Sequence, residues 1–210
     1  MQSVLDRTSN PFGMRPPFDE SDDGDLPAVP GYGDPSGDFH VIGDHPGIHG
    51  GTGTGVPFTE TGAGRAVGRL LRSVDLLGGP ADRPTVNDCF LSYIHMVTPP
   101  RNESPAPANY DRLERFFDAE LRAVNAHVLL PVGERAIDRV LRSYTTRRDR
   151  LPSDPAARHA TEVRGRGFLV VPLSDPAAWD DAAFEQAVDR LEAILGRDYR
   201  QTKGVATRVG

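Results

Sequence analysis

The sequence predicts an α/β fold: a three-layer α/β/α domain built on a four-stranded, mainly parallel sheet. Two observations predict it. Four short, continuous apolar runs stand at 39–43, 90–97, 126–132 and 168–173, as expected of strands buried on both faces. Amphipathic helical segments separate those runs, which places helices on both faces of the sheet. A chain of 210 residues has room for one such domain with a sizeable core, plus a tail.

Taken in order, residues 1–37 hold many prolines, glycines and aspartates, with Ser-Asp-Asp-Gly-Asp at 21–25, and read as an irregular N-terminal segment. The domain is expected over 38–200. Its first run, Phe39–Gly43, reads as a buried strand feeding a long glycine-rich loop, after which a helix is expected from about Ala63 to Leu77. The run Phe90–Val97 is the second strand. A helix over Tyr110–Ala126 gathers Leu113, Phe116, Phe117, Leu121 and Val124 on one face. The third run, Ala126–Val132, leads through Gly133 into a helix over Glu134–Tyr144. Residues 148–166, rich in arginine and proline, read as a surface excursion before the fourth run, Phe168–Leu173. The last helix, Asp181–Leu195, aligns Phe184, Val188, Leu191, Ile194 and Leu195, with Asp180 or Asp181 as N-cap, and a frayed tail is expected over 201–210. In this layout ligands sit beyond the carboxyl ends of the strands, at 43–58, 98–105, 131–134 and 172–179.

Composition narrows the classes of function. No apolar stretch approaches the ~18 residues that span a bilayer, and the N-terminus lacks the apolar region of a signal peptide, so a cytoplasmic, non-membrane protein is expected. One cysteine, Cys89, excludes an intrachain disulfide framework and any four-thiolate metal site. Of the 24 basic residues only Lys203 is a lysine, and most of the 30 acids are aspartates. That bias suits a halophilic, high-salt cytoplasm, and the coding bias of a GC-rich genome accounts for it equally. Net charge −6 opposes nucleic-acid binding at ordinary salt. In molar salt the screening length falls to ~3 Å, so shape and stacking carry binding instead.

The segment Val41–Gly64 concentrates the chemistry: Asp44, His45, His49 and Phe58 lie in one glycine-rich loop at a strand end. A dinucleotide fingerprint fails in both registers, because Val56 and Phe58 stand where its third glycine belongs. A phosphate-binding P-loop fails because the region has no lysine. Asp44, His45, His49 and His95 match no named metal spacing, and no metal or cofactor is expected.

Gly43-Asp44-His45-Pro46-Gly47, Gly55-Val56-Pro57-Phe58 and Gly62-Ala63-Gly64 together resemble the first motif of the uracil-DNA glycosylase superfamily. The resemblance is strongest to the iron–sulfur branch, whose motif runs G-E-A-P-G, G-R-P-F and A-G. Tyr93–Asn102 resembles that branch's second motif, Val128–Ala136 its V-I-V-A-L-G-x-x-A strand, and Val171–Ala178 its strand ending in His-Pro-Ser or His-Pro-Ala. The cluster cysteines are missing: Val97 stands at one position and the Met14–Phe18 segment has none.

The resemblance implies a monomeric enzyme that flips a uracil or deaminated base from DNA and hydrolyses its N-glycosidic bond. It makes Asp44 and His45 the hydrolytic centre, with His45 where another branch carries its water-directing aspartate. It makes Phe58 the ring stacked on the base and puts Tyr93 at a base-binding position, while His49 and His95 are bystanders in the loop and strand, of which His49 is counted with the base-binding residues. Pro99, Pro100, Arg101 and Pro176 are implied to grip the DNA backbone. Two departures stand out. Tyr93 occupies the position of the base-reading asparagine, and Asp175 that of the histidine that hydrogen-bonds the base O2. A phenol cannot make paired amide contacts. An ionised carboxylate opposes developing negative charge, whereas a buried, protonated one donates. These departures motivate a competing reading, a member that binds damaged or single-stranded DNA with little or no catalysis. A small-molecule hydrolase on the same scaffold is the third.

Overall fold

A computed structural model of the chain describes residues 28–100, 103–145, 152, 154–165 and 167–199. Most of the expected N-terminal segment (1–27), Arg101 and the 201–210 tail lie outside the described residues. The main sheet consists of β1 (Tyr32–Gly33), β2 (Phe39–Gly43), β5 (Cys89–Tyr93), β6 (Val128–Pro131), β7 (Val163–Arg164) and β8 (Leu169–Val170). Strands β3 (Leu77–Gly78) and β4 (Thr85–Val86) pair separately. The helices are α1 (Pro46–His49), α2 (Gly62–Ser73), α3 (Pro107–Ala123), α4 (Glu134–Tyr144), α5 (Pro155–Arg158) and α6 (Asp181–Leu195).

The α/β class with a mostly parallel sheet holds, but the sheet has six strands rather than four, in the order β1-β5-β2-β6-β8-β7. The four central strands are those expected from the apolar runs, and all pair in parallel. The two additions are antiparallel edge strands of two residues each, β1 on β5 and β7 on β8. A segment that short carries no periodicity, so nothing local marks it as a strand. Of the expected irregular lead-in, residues 28–37 thus add an edge strand and a bridge from Ala28 to Val97. The stretch 148–166 is not a mere surface excursion. Among its described residues, His159, Ala160 and Val163 are buried, and Val163 joins the sheet.

Period-two alternation sorts the strand side chains between two cores. Phe39, Val41, Leu91, Val128 and Leu130 face α2 and α6, where Val67, Leu70, Leu71, Leu191 and Ile194 pack. Ile42, Phe90 and Leu129 face α3 and α4, packing on Phe117, Leu121, Ile137 and Val140. Each such fully buried side chain stabilises the fold by roughly 1.5–3 kcal/mol. The predicted bounds of α4 and α6 agree with those observed, and Asp180 caps α6 by accepting from the Ala183 N–H at 2.8 Å. Helix α3 starts three residues earlier than periodicity suggested, at Pro107, whose missing N–H costs nothing in the first turn. Among the described residues, no helix is long and apolar enough to cross a membrane.

Candidate active site at the carboxyl end of the sheet

Strand β2 ends at Gly43, and side chains from three elements converge there. A Cβ on Gly43 would stand 2.7 Å from His49 Nδ1, 2.8 Å from the Tyr93 ring and 2.9 Å from the Phe58 ring, so only glycine fits. Beyond it the glycine-rich loop closes on itself. The N–H groups of Gly51 and Gly53 both donate to Glu60 Oε2 at 3.0 Å, so these donors serve the chain's own carboxylate rather than a phosphate. Thr61 then caps α2 by accepting from the Gly64 N–H at 3.0 Å.

His49, Phe58 and Tyr93 form one aromatic cluster. His49 stacks near-parallel to Tyr93 at 6.1 Å and 17°, and Phe58 lies 5.5 Å from His49 and 5.3 Å from Tyr93. The Tyr93 hydroxyl donates to the Gly50 carbonyl at 2.9 Å and accepts from the Phe58 N–H at 2.8 Å. Burial pushes that phenol far up from its ordinary pKa. Phe58 is buried and adopts φ +61°, a left-handed conformation that this closed packing must sustain. Both Phe58 and Tyr93 therefore sit behind His49 as packed side chains.

Asp44 is held by two residues that sequence reasoning missed. Tyr110 of α3 donates to Asp44 Oδ1 at 2.6 Å, and Arg135 of α4 brings its Nε to 3.6 Å from Oδ2. The Arg135 guanidinium lies 4.4 Å from the Tyr110 ring centroid, stacking the cation on the phenol that holds its partner. Burial raises the Asp44 pKa, while Tyr110, Arg135 and His95 pull it back down. His95 itself donates from Nδ1 to the Val97 carbonyl at 2.9 Å and packs on Tyr110 at 5.1 Å.

His45 precedes the short helix α1 and His49 is its last residue. Burial, then the positive Arg135, lowers His45 to about 4. Burial, then His45, lowers His49 to about 4, with Asp175 opposing. Their surroundings differ. His49 Nδ1 accepts from the Asp44 N–H at 3.1 Å, whereas neither ring nitrogen of the buried His45 has a hydrogen-bond partner.

Two cavities open here. One of about 550 Å³ is lined by Asp44, Ile48, His49, Gly133, Arg135 and Asp175, among others. The other, about 480 Å³, is lined by His45, Gly47, Ile48, Thr98, Pro99 and Pro100, among others. His45 and Asp175 therefore line different cavities, with Ile48 common to both. Asp175 is exposed rather than buried, and its Oδ1 accepts from the Ala177 N–H at 3.0 Å to cap the turn Pro176–Ala178. Pro99 and Pro176 are buried and Pro100 is exposed. Among the described residues, no three His, Cys, Asp or Glu side chains converge to hold a metal ion.

The sequence model of the Uracil DNA glycosylase superfamily matches residues 30–192. The chain belongs to that superfamily. It is also 29% identical over 129 residues to the Type-5 uracil-DNA glycosylase of Thermus thermophilus, a match covering 59% of this chain and 58% of that protein. The chain thus spans less than two thirds of the relative's length. Within this superfamily member, Arg135 had one legible signal, its place two residues past Gly133 at a predicted strand end. Tyr110 had none: 66 residues separate it from Asp44.

Proposed function

We propose that this protein is a DNA N-glycosylase that hydrolyses the bond between deoxyribose and a flipped uracil or deaminated base. The observation that carries this reading is His45: a buried imidazole, unpartnered at both nitrogens, beside a carboxylate at the end of a parallel strand. An unmet buried polar group costs about 1–3 kcal/mol, a cost that a water or substrate held there removes. Held neutral by burial, His45 accepts a proton from water as the water oxygen bonds to the sugar C1′ and the base leaves with the electrons of the broken C–N bond. Asp44, steered by Tyr110 and Arg135, stabilises the positive charge that builds on the sugar. The rigid Pro99-Pro100 turn and the Pro176 turn, with Arg101, contact the DNA backbone. His49, backed by Phe58 and Tyr93, forms the wall against which the base rests.

The test is incubation of the purified chain, in high salt, with a uracil-containing oligonucleotide. Alkali-labile abasic sites are expected. Their absence with uracil, hypoxanthine and xanthine substrates, alongside measurable DNA binding, would sink the hydrolytic reading. It would favour the second one, a member that binds DNA without cleaving it. Two observations support that alternative: Phe58 has Tyr93 and His49 packed against it, and His45 and Asp175 line different cavities.

A further inference from the structure

We propose that His49 supplies the hydrogen-bond donor for the base, through an Nε2–H that faces the cavity between Asp44 and Asp175 and fits a carbonyl oxygen of a lactam-bearing base. This rests on the glycosylase reading for its catalytic consequence, though not for its geometry. The tautomer follows from one contact. The Asp44 amide can only donate, so His49 Nδ1, 3.1 Å away, must accept and carries no proton. A neutral imidazole then has its hydrogen on Nε2, and burial keeps this ring neutral, with a pKa of about 4.

The direction follows from Gly133. A Cβ built there would lie 3.9 Å from His49 Nε2 and 3.8 Å from Cε1, so a residue with a side chain would cover that edge of the ring. Gly133 also sits at φ +83°, which side-chain-bearing residues rarely adopt. The edge stays open onto a cavity of about 550 Å³, inside the ~300–1,000 Å³ typical of small-molecule sites. Stacking on Tyr93 at 17° and packing on Phe58 fix the ring plane before any ligand arrives, the preorganisation that makes a donor effective toward a developing oxyanion.

The same cavity holds Asp175, an acceptor when ionised. A donor and an acceptor facing one cavity complement the C=O and N–H of a lactam, an edge that uracil and hypoxanthine both carry. The two departures in the sequence thus gain a joint account. Tyr93 does not read the base but backs the imidazole that does, and Asp175 leaves the donor's role to a histidine from the first loop.

The test pairs two substitutions. In His49→Asn the side-chain carbonyl reaches the Nδ1 position and keeps the Asp44 contact but stops short of the cavity. In His49→Gln the amide N–H₂ reaches the Nε2 position. On a uracil oligonucleotide, the Asn variant is expected to lose about 10²-fold in kcat, as for removal of one oxyanion donor, and the Gln variant to recover most of it. Equal losses or equal retention would overturn the assignment. Independently of turnover, ¹⁵N NMR of the full chain is expected to show His49 as the Nε2–H tautomer, with that signal moving when free uracil is added. An Nδ1–H tautomer, or an unmoved signal in free uracil and hypoxanthine, overturns the proposal even if the enzyme is active. A moved signal in a chain that cleaves no substrate sinks the hydrolytic reading and leaves the base contact standing.

Discussion

His40, inside strand β2, and His45, two residues beyond its end, are both buried, and burial lowers both, to about 3 and about 4. Their neighbourhoods differ. His40 Nε2 lies 2.8 Å from Ser92 Oγ, and its ring meets Phe90 edge-on at 5.3 Å. Ser92 also bonds Glu120, which completes a polar chain from β2 through β5 to α3, sealed between sheet and helix. His45 has no such chain and lines a cavity of about 480 Å³. The contrast teaches that a lowered histidine pKa reports burial first and does not by itself mark a reactive group. Both rings leave a buried nitrogen unpartnered, Nδ1 in His40 and both nitrogens in His45, so what separates them is the cavity that His45 lines.

The comparison breaks most sharply at His45. His45→Ala is expected to lower the rate of uracil release by about 10²–10⁴-fold, the range for loss of a general base, with little change in thermal stability. Full retention of activity would refute the role. In the unsubstituted protein, the proposed activity should fall as pH drops through about 4, where protonation removes the lone pair of His45.

At the sealed end, burial raises Glu120 to about 7 from 4.5. The folded state therefore holds its proton above the pH at which the unfolded chain releases it. This contribution to stability is fully present below about pH 4.5 and is lost as pH rises toward 7. The loss is on the order of 3 kcal/mol, from about 1.4 kcal/mol per unit. Glu120→Gln should flatten that slope in urea titrations across the window. An unchanged slope would assign the pH dependence elsewhere.

Smaller effects sharpen the contrast at the open end. Tyr110→Phe removes the phenol that lowers the Asp44 pKa, so the acid limb of the activity profile should move to higher pH, with activity reduced about tenfold. A limb left in place would mean that Asp44 does not titrate in the reaction. Asp175→His should lower uracil release a few-fold by removing the acceptor that faces the lactam N–H. A gain instead would show that the carboxylate opposes the reaction rather than reading the base.

Much of the fold was legible in the residues. The apolar runs located all four parallel strands, because burial on both faces demands continuous hydrophobicity. The helices α4 and α6 were readable to their ends, since a glycine and an aspartate mark where they begin. The edge strands were not, because two residues hold no period and their pairing is decided by what lies beside them. At the site, the strand-end loops pointed to Asp44, His45, His49 and Asp175, and the structure brings Asp44, His49 and Asp175 to one cavity. It turns His45 to a second cavity and buries Phe58 behind His49.

The sequence by itself determined the class of fold, the superfamily motifs and the strand ends where chemistry collects. Each of these is written in contiguous residues, as a hydrophobic period or a backbone that only glycine can follow. Only the tertiary structure decided which side chains meet. The Tyr110 contact with Asp44 crosses 66 residues, and that of the Tyr93 hydroxyl with the Phe58 amide crosses 35. Such meetings are set by how helices and loops pack over a shared sheet. No local pattern encodes that packing, and the partner of a buried polar group is found only once the core has closed around it.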